Sequence, residues 1–343
     1  MRNILVTGGA GFIGSAFVRR MIDKYPQYTL VVFDKLTYAG NLDNLLPVHD
    51  EPNYRFELGD IADRDVVRHV LEKHAIDTIV NFAAESHVDR SILDPDAFIR
   101  TDVTGVYVLL DTARALGINR FHHVSTDEVY GSIAVGAFKE GDPLEPNSPY
   151  AASKAGGEML VRAYHVTYGL HTTVTRGSNT FGPYQYPEKI APFFITEAID
   201  DRPLPVYGDG MQVRDWLYVD DHADAIDLVL HRGEPGQVYN VGGDSERHNI
   251  DLTRVILRLL GKPDSLIRFV EDRPGHDRRY ALSSDKIRAL GWRTSADLDT
   301  LMGNTVRWYQ QNEWWWRKIK TGEYLEFYKR QYEQRLADAQ ASV

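Results

Sequence analysis

The 343-residue chain contains no cysteine. Disulfides, thiolate zinc sites, iron–sulfur clusters and cysteine nucleophiles are excluded with it. No apolar run approaches the roughly 20 residues of a membrane-spanning helix. Met1-Arg2-Asn3 leads straight into a short apolar strand rather than a signal peptide, so the expected location is the cytoplasm. Positive charge is not in excess either: 39 Lys+Arg against 49 Asp+Glu leave a net charge of −10. That balance argues against nucleic acid or an anionic membrane as partner, while leaving room for a local basic pocket on a phosphate. Repeats, low-complexity segments and a metal-ligand set are missing too. What is present, 43% hydrophobic and 26% charged residues in 39.0 kDa, is the balance of a globular protein with one large or two ordinary domains.

Short apolar runs alternate with amphipathic stretches through the first half. Ile4–Val6, Leu30–Phe33, Tyr54–Leu58, Thr78–Phe82 and Phe121–Ser125 read as strands, with Val174–Arg176 and Val238–Val241 to follow. Their continuous apolarity suits strands buried on both faces, as in a parallel sheet. Helices are predicted over Phe12–Lys24, over Arg64–His74 behind an Asp63 cap, over Pro95–Gly117 behind Asp94, and from Ser148-Pro149 onward. The β-α-β repetition implies an α/β fold, a Rossmann-type doubly wound parallel sheet. Beyond Pro183 prolines cluster, and the texture suggests a smaller C-terminal α/β lobe. The expected division is 1–182 plus returning segments near 211–243 for the sheet domain, 183–210 and 244–316 for the lobe, and 317–343 as a C-terminal surface helix or tail.

Gly9-Ala10-Gly11-Phe12-Ile13-Gly14 matches G-x-G-x-x-G, and Gly8, Gly11 and Gly14 repeat at three-residue spacing. Glycines between a strand and a helix let backbone amides approach a pyrophosphate at the helix N-terminus. Asp34 ends the next strand, 20 residues beyond Gly14. A carboxylate there accepts the ribose hydroxyls of NAD and repels the 2′-phosphate of NADP, although Lys35 follows it. Asp60, after the third strand, would face the adenine edge.

Tyr150 and Lys154 are four residues apart, on one face of a helix. An ammonium beside the phenol, with a cofactor pyridinium, would lower the phenol pKa from about 10 and make a base for a sugar hydroxyl. The fifth strand ends in Ser125-Thr126-Asp127-Glu128. Thr126 can share a hydrogen bond with that hydroxyl, and Asp127 and Glu128 put two carboxyls at the same mouth. Adjacent carboxyls in a partly desolvated site push their pKa values apart, so that one serves as acid and the other as base.

With Asn81-Phe82-Ala83-Ala84, the Gly8–Gly14 turn and Tyr150-x-x-x-Lys154, the chain resembles the extended short-chain dehydrogenase/reductases. Within them, Ser125–Gly131, Ala84–Asp89, Pro187-Glu188-Lys189, Gly208-Asp209-Gly210, Arg214-Asp215-Trp216 and Arg273–Asp277 resemble the dTDP-glucose 4,6-dehydratases, from Met1 to about Trp316. The resemblance implies C4 oxidation through Tyr150 aided by Thr126 and Lys154, C5 deprotonation by Glu128, protonation of the C6 hydroxyl by Asp127, and hydride return from NADH to C6. It implies NAD contacts from Gly8, Gly11, Phe12, Ile13, Gly14, Asp34, Lys35, Leu36, Thr37, Asp60, Ile61, Ala83, Ala84, Glu85, Thr101, Tyr150, Lys154 and Thr180. It assigns the nucleotide sugar to Ser86, His87, Thr126, Asn179, Glu188, Lys189, Pro205, Tyr207, Arg214, Asn249, Arg273 and His276, with Tyr207 stacking on the base. A homodimer through the helices near Thr101–Leu116 and Tyr150–Tyr168 is implied as well. The chain departs from the family at Thr180, where a second Asn is common, in the Asp244–Asn249 context, and in a short Ser132–Asn147 segment over the pocket. Rival readings are another nucleotide-sugar dehydratase or 4-epimerase of the family, acting on a UDP- or GDP-hexose, and a non-catalytic NAD-binding protein.

Overall fold

The computed structural model describes residues 1–341 apart from 273–275, 323, 325, 327 and 328. Its first half alternates β1 (Asn3–Thr7), α1 (Phe12–Lys24), β2 (Thr29–Asp34), β3 (Tyr54–Leu58), α2 (Arg64–Lys73) and β4 (Thr78–Asn81). The helices α3 (Val88–Leu93), α4 (Asp96–Phe98) and α5 (Val106–Ala115) follow, then β5 (Arg120–Thr126), α6 (Pro149–Tyr168) and β6 (His171–Gly177). The second half adds β7 (Asn179–Phe181), α7 (Ile190–Ile199), β8 (Leu204–Tyr207), β9 (Val213–Tyr218), α8 (Val219–Arg232), β10 (Gln237–Val241), β11 (Glu246–His248), α9 (Asn249–Leu260), β12 (Ile267–Val270), α10 (Asp285–Ala289), α11 (Leu298–Gln311) and α12 (Glu313–Ile319).

The main sheet has the order β10-β6-β5-β4-β1-β2-β3, every neighbouring pair parallel. Its strands are apolar throughout because successive residues enter different cores. Leu5, Val31, Phe33, Ile79 and Phe121 pack under α2, α5 and α6, whereas Ile4, Val6, Leu30, Val32, Val80 and Val124 pack under α1 and α8. Each such side chain contributes about 1.5–3 kcal/mol of burial. Asp63 caps α2 through the amides of Asp65 and Val66, and Ser148 caps α6 through Ala151, with Pro149 in the first turn.

Three expectations change. The predicted Pro95–Gly117 helix carries a π-helical turn over Ile99–Gly105 between α4 and α5, has no side-chain cap, and is preceded by the unpredicted α3. Residues 244–316 are not one lobe: Ile287 and Trp292 pack with Leu217, Tyr239 and Val241 beside the main sheet, and the Trp292 indole donates to the Asp221 carbonyl. The C-terminal stretch is not merely superficial, since Tyr324, Tyr332 and Leu336 are buried, the last two in the lobe core with Phe193, Trp315 and Trp316.

Two small sheets build the lobe. One, β11-β9-β7, sets Asn179 opposite Trp216 and Arg247 opposite Arg214. The other pairs β8 with β12, which sets Tyr207 opposite Val270. Both lie beyond the carboxyl ends of the main strands, where open α/β sheets bind ligands.

Candidate active site

The chain turns out of β1 at Gly8, whose φ of 65° favours glycine and whose missing Cβ would fall 2.6 Å from the Ala83 nitrogen. A Cβ on Gly14 would collide with the Gly8 carbonyl oxygen, so the turn and α1 touch backbone to backbone. A cleft of about 300 Å³ opens there, lined by Gly8, Gly11, Phe12, Ile13 and Gly14, and by Asp34, Lys35, Thr37, Ile61, Ala83, Ala84 and Thr101. Asp34 is 8% exposed and accepts the amides of Ala10 (3.0 Å) and Leu36 (2.9 Å). Burial pushes its carboxyl above 3.8, against those two amides and Lys35.

Three expected cofactor residues are not brought to the cleft lining. Leu36, at φ 54°, packs toward the α1 core. Asp60 holds the Ala62 amide at 2.9 Å. Glu85 lies 3.6 Å from the Lys35 ammonium, which also donates to Thr101 at 3.3 Å.

At the inner end, Thr126, Asp127, Glu128, Tyr150 and Lys154 line the same cleft. β5 stops at Thr126 and the chain enters a 3₁₀ turn, Asp127–Tyr130. The Thr126 hydroxyl accepts the Glu128 amide at 3.3 Å and donates to Asp127 Oδ1 at 3.2 Å. Asp127 is 2% exposed, and its Oδ2 is buried without a hydrogen-bond partner. Burial first, then the charges of Glu128 and Asp215, hold the Asp127 carboxyl well above the ordinary carboxylate range. Lys154 donates to the Val124 carbonyl at 2.8 Å; burial lowers its pKa, opposed by Asp102 and Glu158.

The protein's own groups do not depress the Tyr150 phenol. Burial, Glu128 and Asp102 push it well above 10, against the Thr126 hydrogen bond. The ammonium foreseen at i+4 donates to a strand carbonyl and feels the charges of Asp102 and Glu158.

A second cavity of about 140 Å³ adjoins the first: Glu128, Asn179, Glu188 and Lys189 line both. His87, Pro205, Tyr207, Arg214, Asn249 and His276 line the second. Ser86 lines the first, and its carbonyl accepts the Lys189 ammonium at 2.6 Å. Arg214 donates to the carbonyls of Val213 (2.8 Å) and Asp277 (3.0 Å), with its guanidinium 4.5 Å from the Tyr280 ring centroid. The carbonyl oxygens of the Asn179 and Asn249 side chains are buried without partners. Thr180 lines the first cleft, yet its hydroxyl is held by the Ser178 carbonyl (3.1 Å) and His222 Nδ1 (2.9 Å). Arg273 lies outside the described residues.

Some neighbours gave no sequence signal. Asp102, in the π-helical turn, is 1% exposed, accepts the Ser153 hydroxyl at 2.8 Å, and has a carboxyl pushed up to about 7, chiefly by burial. Behind β5, Glu158 accepts from Ser125 (3.1 Å) and Arg176 (2.8 Å), and Arg176 also reaches the Tyr130 hydroxyl. That buried pair ties the catalytic turn to α6. The short Ser132–Asn147 segment stacks Phe138 on Tyr130 at 4.7 Å and bonds its backbone to Ala281 and Ser283.

A sequence model of the family described as GDP-mannose 4,6 dehydratase matches residues 5–305. The chain is 47% identical to a dTDP-glucose 4,6-dehydratase of Escherichia coli over 94% of this chain and 97% of that protein. It belongs to the nucleotide-sugar 4,6-dehydratase family of the extended short-chain dehydrogenase/reductases. Another member of that family, the dTDP-glucose 4,6-dehydratase of Streptomyces niveus, is 50% identical over 93% of this chain and 96% of its own. Among solved structures, the dTDP-glucose 4,6-dehydratase DesIV of Streptomyces venezuelae, crystallised with NAD, superposes with a TM-score of 0.90. It is 50% identical and covers 93% of this chain and 100% of that one. The UDP-glucose 4-epimerase of Thermus thermophilus, also solved with NAD, reaches 0.84 at 29% identity, over 90% and 99% of the chains. Among the described residues of this family member, no helix is long and apolar enough to cross a membrane, and no cluster of three or more His, Asp or Glu could hold a metal.

Proposed function

We propose that this dehydratase converts dTDP-glucose to dTDP-4-keto-6-deoxyglucose and water, with NAD retained through the cycle. The observation that carries this reading is the buried Thr126-Asp127-Glu128 turn lining one cleft with Tyr150 and Lys154. A 4-epimerase needs only the phenol and ammonium; the carboxyl pair serves an elimination.

NAD fits the residues of the larger cleft. The turn admits only backbone at Gly8 and Gly14, the α1 N-terminus favours a pyrophosphate, and Asp34 ends β2 where a ribose would lie. When bound, NAD supplies the acceptor for the C4 hydride and gives that hydride back at C6. Tyr150 takes the C4 hydroxyl proton with help from Thr126. It reaches its phenolate against burial, and needs the positive charge of Lys154 and of the cofactor ring beside it. The 4-ketone acidifies C5, and Glu128 removes that proton. Asp127, held protonated by burial and its carboxylate neighbours, protonates the C6 hydroxyl, which leaves as water. Glu128 then returns a proton to C5. Each proton transfer contributes on the order of 10²–10⁴-fold.

Asn179, Arg214, Asn249, Arg273 and His276 are assigned to the diphosphate, and Glu188, Lys189 and Tyr207 to the base. The described residues of this set share the lining of the second cavity, and the unpartnered Asn179 and Asn249 oxygens support this assignment. The reading includes a homodimer through α5 and α6, supported by Tyr107, Met159, Val166 and Tyr168, which those helices leave exposed. The test of the activity is incubation of the purified holoenzyme with dTDP-, UDP- and GDP-hexoses without added NAD. A 4-keto-6-deoxy product from dTDP-glucose is expected. A C4 epimer alone, or turnover restricted to UDP- or GDP-hexoses, would overturn it.

A further inference from the structure

The glycine turn is held from behind by residues that line neither cavity. The Ala10 amide donates to Asp34 Oδ2 at 3.0 Å, and the Gly11 amide donates to the Gly8 carbonyl at 3.1 Å. The Ala10 carbonyl accepts two donors, the Asn41 amide at 3.0 Å and the Asn44 side-chain amide at 2.9 Å. Both ends of the Ala10–Gly11 peptide are thus pinned. It leads straight into α1, which has no side-chain cap, so the first amides of that helix are left for a pyrophosphate.

Asn44 is 1% exposed and sits in a 3₁₀ helix, Leu42–Val48. Its Oδ1 accepts the indole N–H of Trp315 at 2.9 Å, and its backbone carbonyl accepts Arg19 of α1 at 2.6 Å. Trp315 is carried by α12 and belongs to the lobe core. Asn44 and Trp315 both lie outside the lining of the two cavities. We propose that Asn44 is a positioning residue for the dinucleotide turn, and that Trp315 makes its hold depend on the docked lobe, so that the pair slows the release of NAD.

Further contacts join the same elements. Lys318 of α12 pairs with Asp43 at 2.6 Å. The Arg19 guanidinium lies 4.4 Å from the Tyr184 ring centroid, and Tyr184 meets Trp315 edge-on at 5.7 Å. Tyr184 has a φ of 65°, a left-handed conformation that a tyrosine keeps only where its surroundings fix it. The next residue, Gln185, lines the cofactor cleft and donates to the Thr180 carbonyl at 2.9 Å. Trp315 therefore reaches the cleft by two routes, through Asn44 to the glycine turn and through Tyr184 to Gln185. In the proposed cycle the hydride taken by NAD must return to the same sugar, and a cofactor that leaves midway strands the intermediate. The inference itself rests only on NAD occupying the larger cleft, whichever hexose is bound.

The test is a chase. Holoenzyme loaded with radiolabelled NAD is mixed with excess unlabelled NAD, and the retained label is followed by rapid filtration. Trp315→Phe keeps a ring in the core, removes the indole donor and leaves Asn44 Oδ1 without it. This variant is expected to release NAD faster on the order of tenfold, the size of one buried hydrogen bond. Trp316→Phe is the matched control, because the Trp316 indole is equally buried and donates at 2.9 Å to the Tyr309 carbonyl instead. Its release rate should stay near that of the unmodified enzyme. Asn44→Ala should speed release at least as much as Trp315→Phe, and combining the two should add nothing, since both act along one path. In the unmodified chain, loading with NAD should slow amide exchange over residues 313–319, because such coupling is reciprocal. This last readout needs no variant to fold. Unchanged release from Trp315→Phe, equal acceleration by Trp315→Phe and Trp316→Phe, additive effects in the double variant, or exchange over 313–319 indifferent to NAD would overturn the inference. If NAD does not occupy the cleft, the failure looks different, because the unmodified enzyme itself then retains no label.

Discussion

Asp102 is a buried carboxyl whose titration range, near pH 7, can be examined without touching the substrate. Its folded pKa is raised above the unfolded value, so the folded state holds the proton more tightly. Its contribution to stability is therefore fully present below about pH 4 and is lost as pH rises toward 7. A rise from 3.8 to about 7 corresponds to about 4 kcal/mol, a ceiling because Lys154 and Asp102 share their surroundings. Asp102→Asn keeps an oxygen for the Ser153 hydroxyl and removes the titration. Urea unfolding of both proteins at pH 5 and pH 8 is the assay. The variant is expected to be the more stable at pH 8, by up to about 4 kcal/mol, with the difference shrinking or reversing at pH 5. Parallel pH dependences for the two proteins would refute the reasoning, and would mean that Asp102 is ionised throughout or exchanges its proton with Lys154. If Asp102 is the main counter-charge of Lys154, the variant should also show a Lys154 that loses its proton more readily, read as a shifted limb in the pH profile of turnover.

The other expectations concern the carboxyl pair and assembly. Asp127→Asn should lose about 10²–10⁴-fold in elimination yet still exchange the C5 hydrogen with deuterated solvent, because that proton belongs to Glu128. Glu128→Gln should lose both exchange and elimination; if both variants lost exchange equally, the division of roles would be wrong. Light scattering should give twice the chain mass, and a monomer mass would sink the α5–α6 interface.

Legibility in the sequence followed the range of each interaction. The glycine turn, the Asp63 and Ser148 caps and the apolar strands were readable because each depends on residues a few positions apart. The interrupted helix was not: the Ile99–Gly105 turn is fixed by packing, with Gly105 so close to Ile61 that a Cβ would lie 2.5 Å from its side chain. What the protein's own groups do to the Tyr150 phenol was out of reach for a similar reason. Spacing shows that Tyr150 and Lys154 share a face, but burial and the charges of Glu128 and Asp102 come from elsewhere in the chain and outweigh it.

By itself, then, the sequence determined the alternation of strands and helices, the glycine turn, and the order of reactive side chains at the end of β5 and the start of α6. These are local choices of backbone and hydrogen bonding. Only the tertiary structure decided that burial raises the Asp127 carboxyl, that the Asp102 charge acts on the Lys154 ammonium, and that Tyr332 joins Tyr207 and Arg214 in lining the second cavity. Those outcomes depend on desolvation and on charges brought together across the chain, and no local pattern of residues records either.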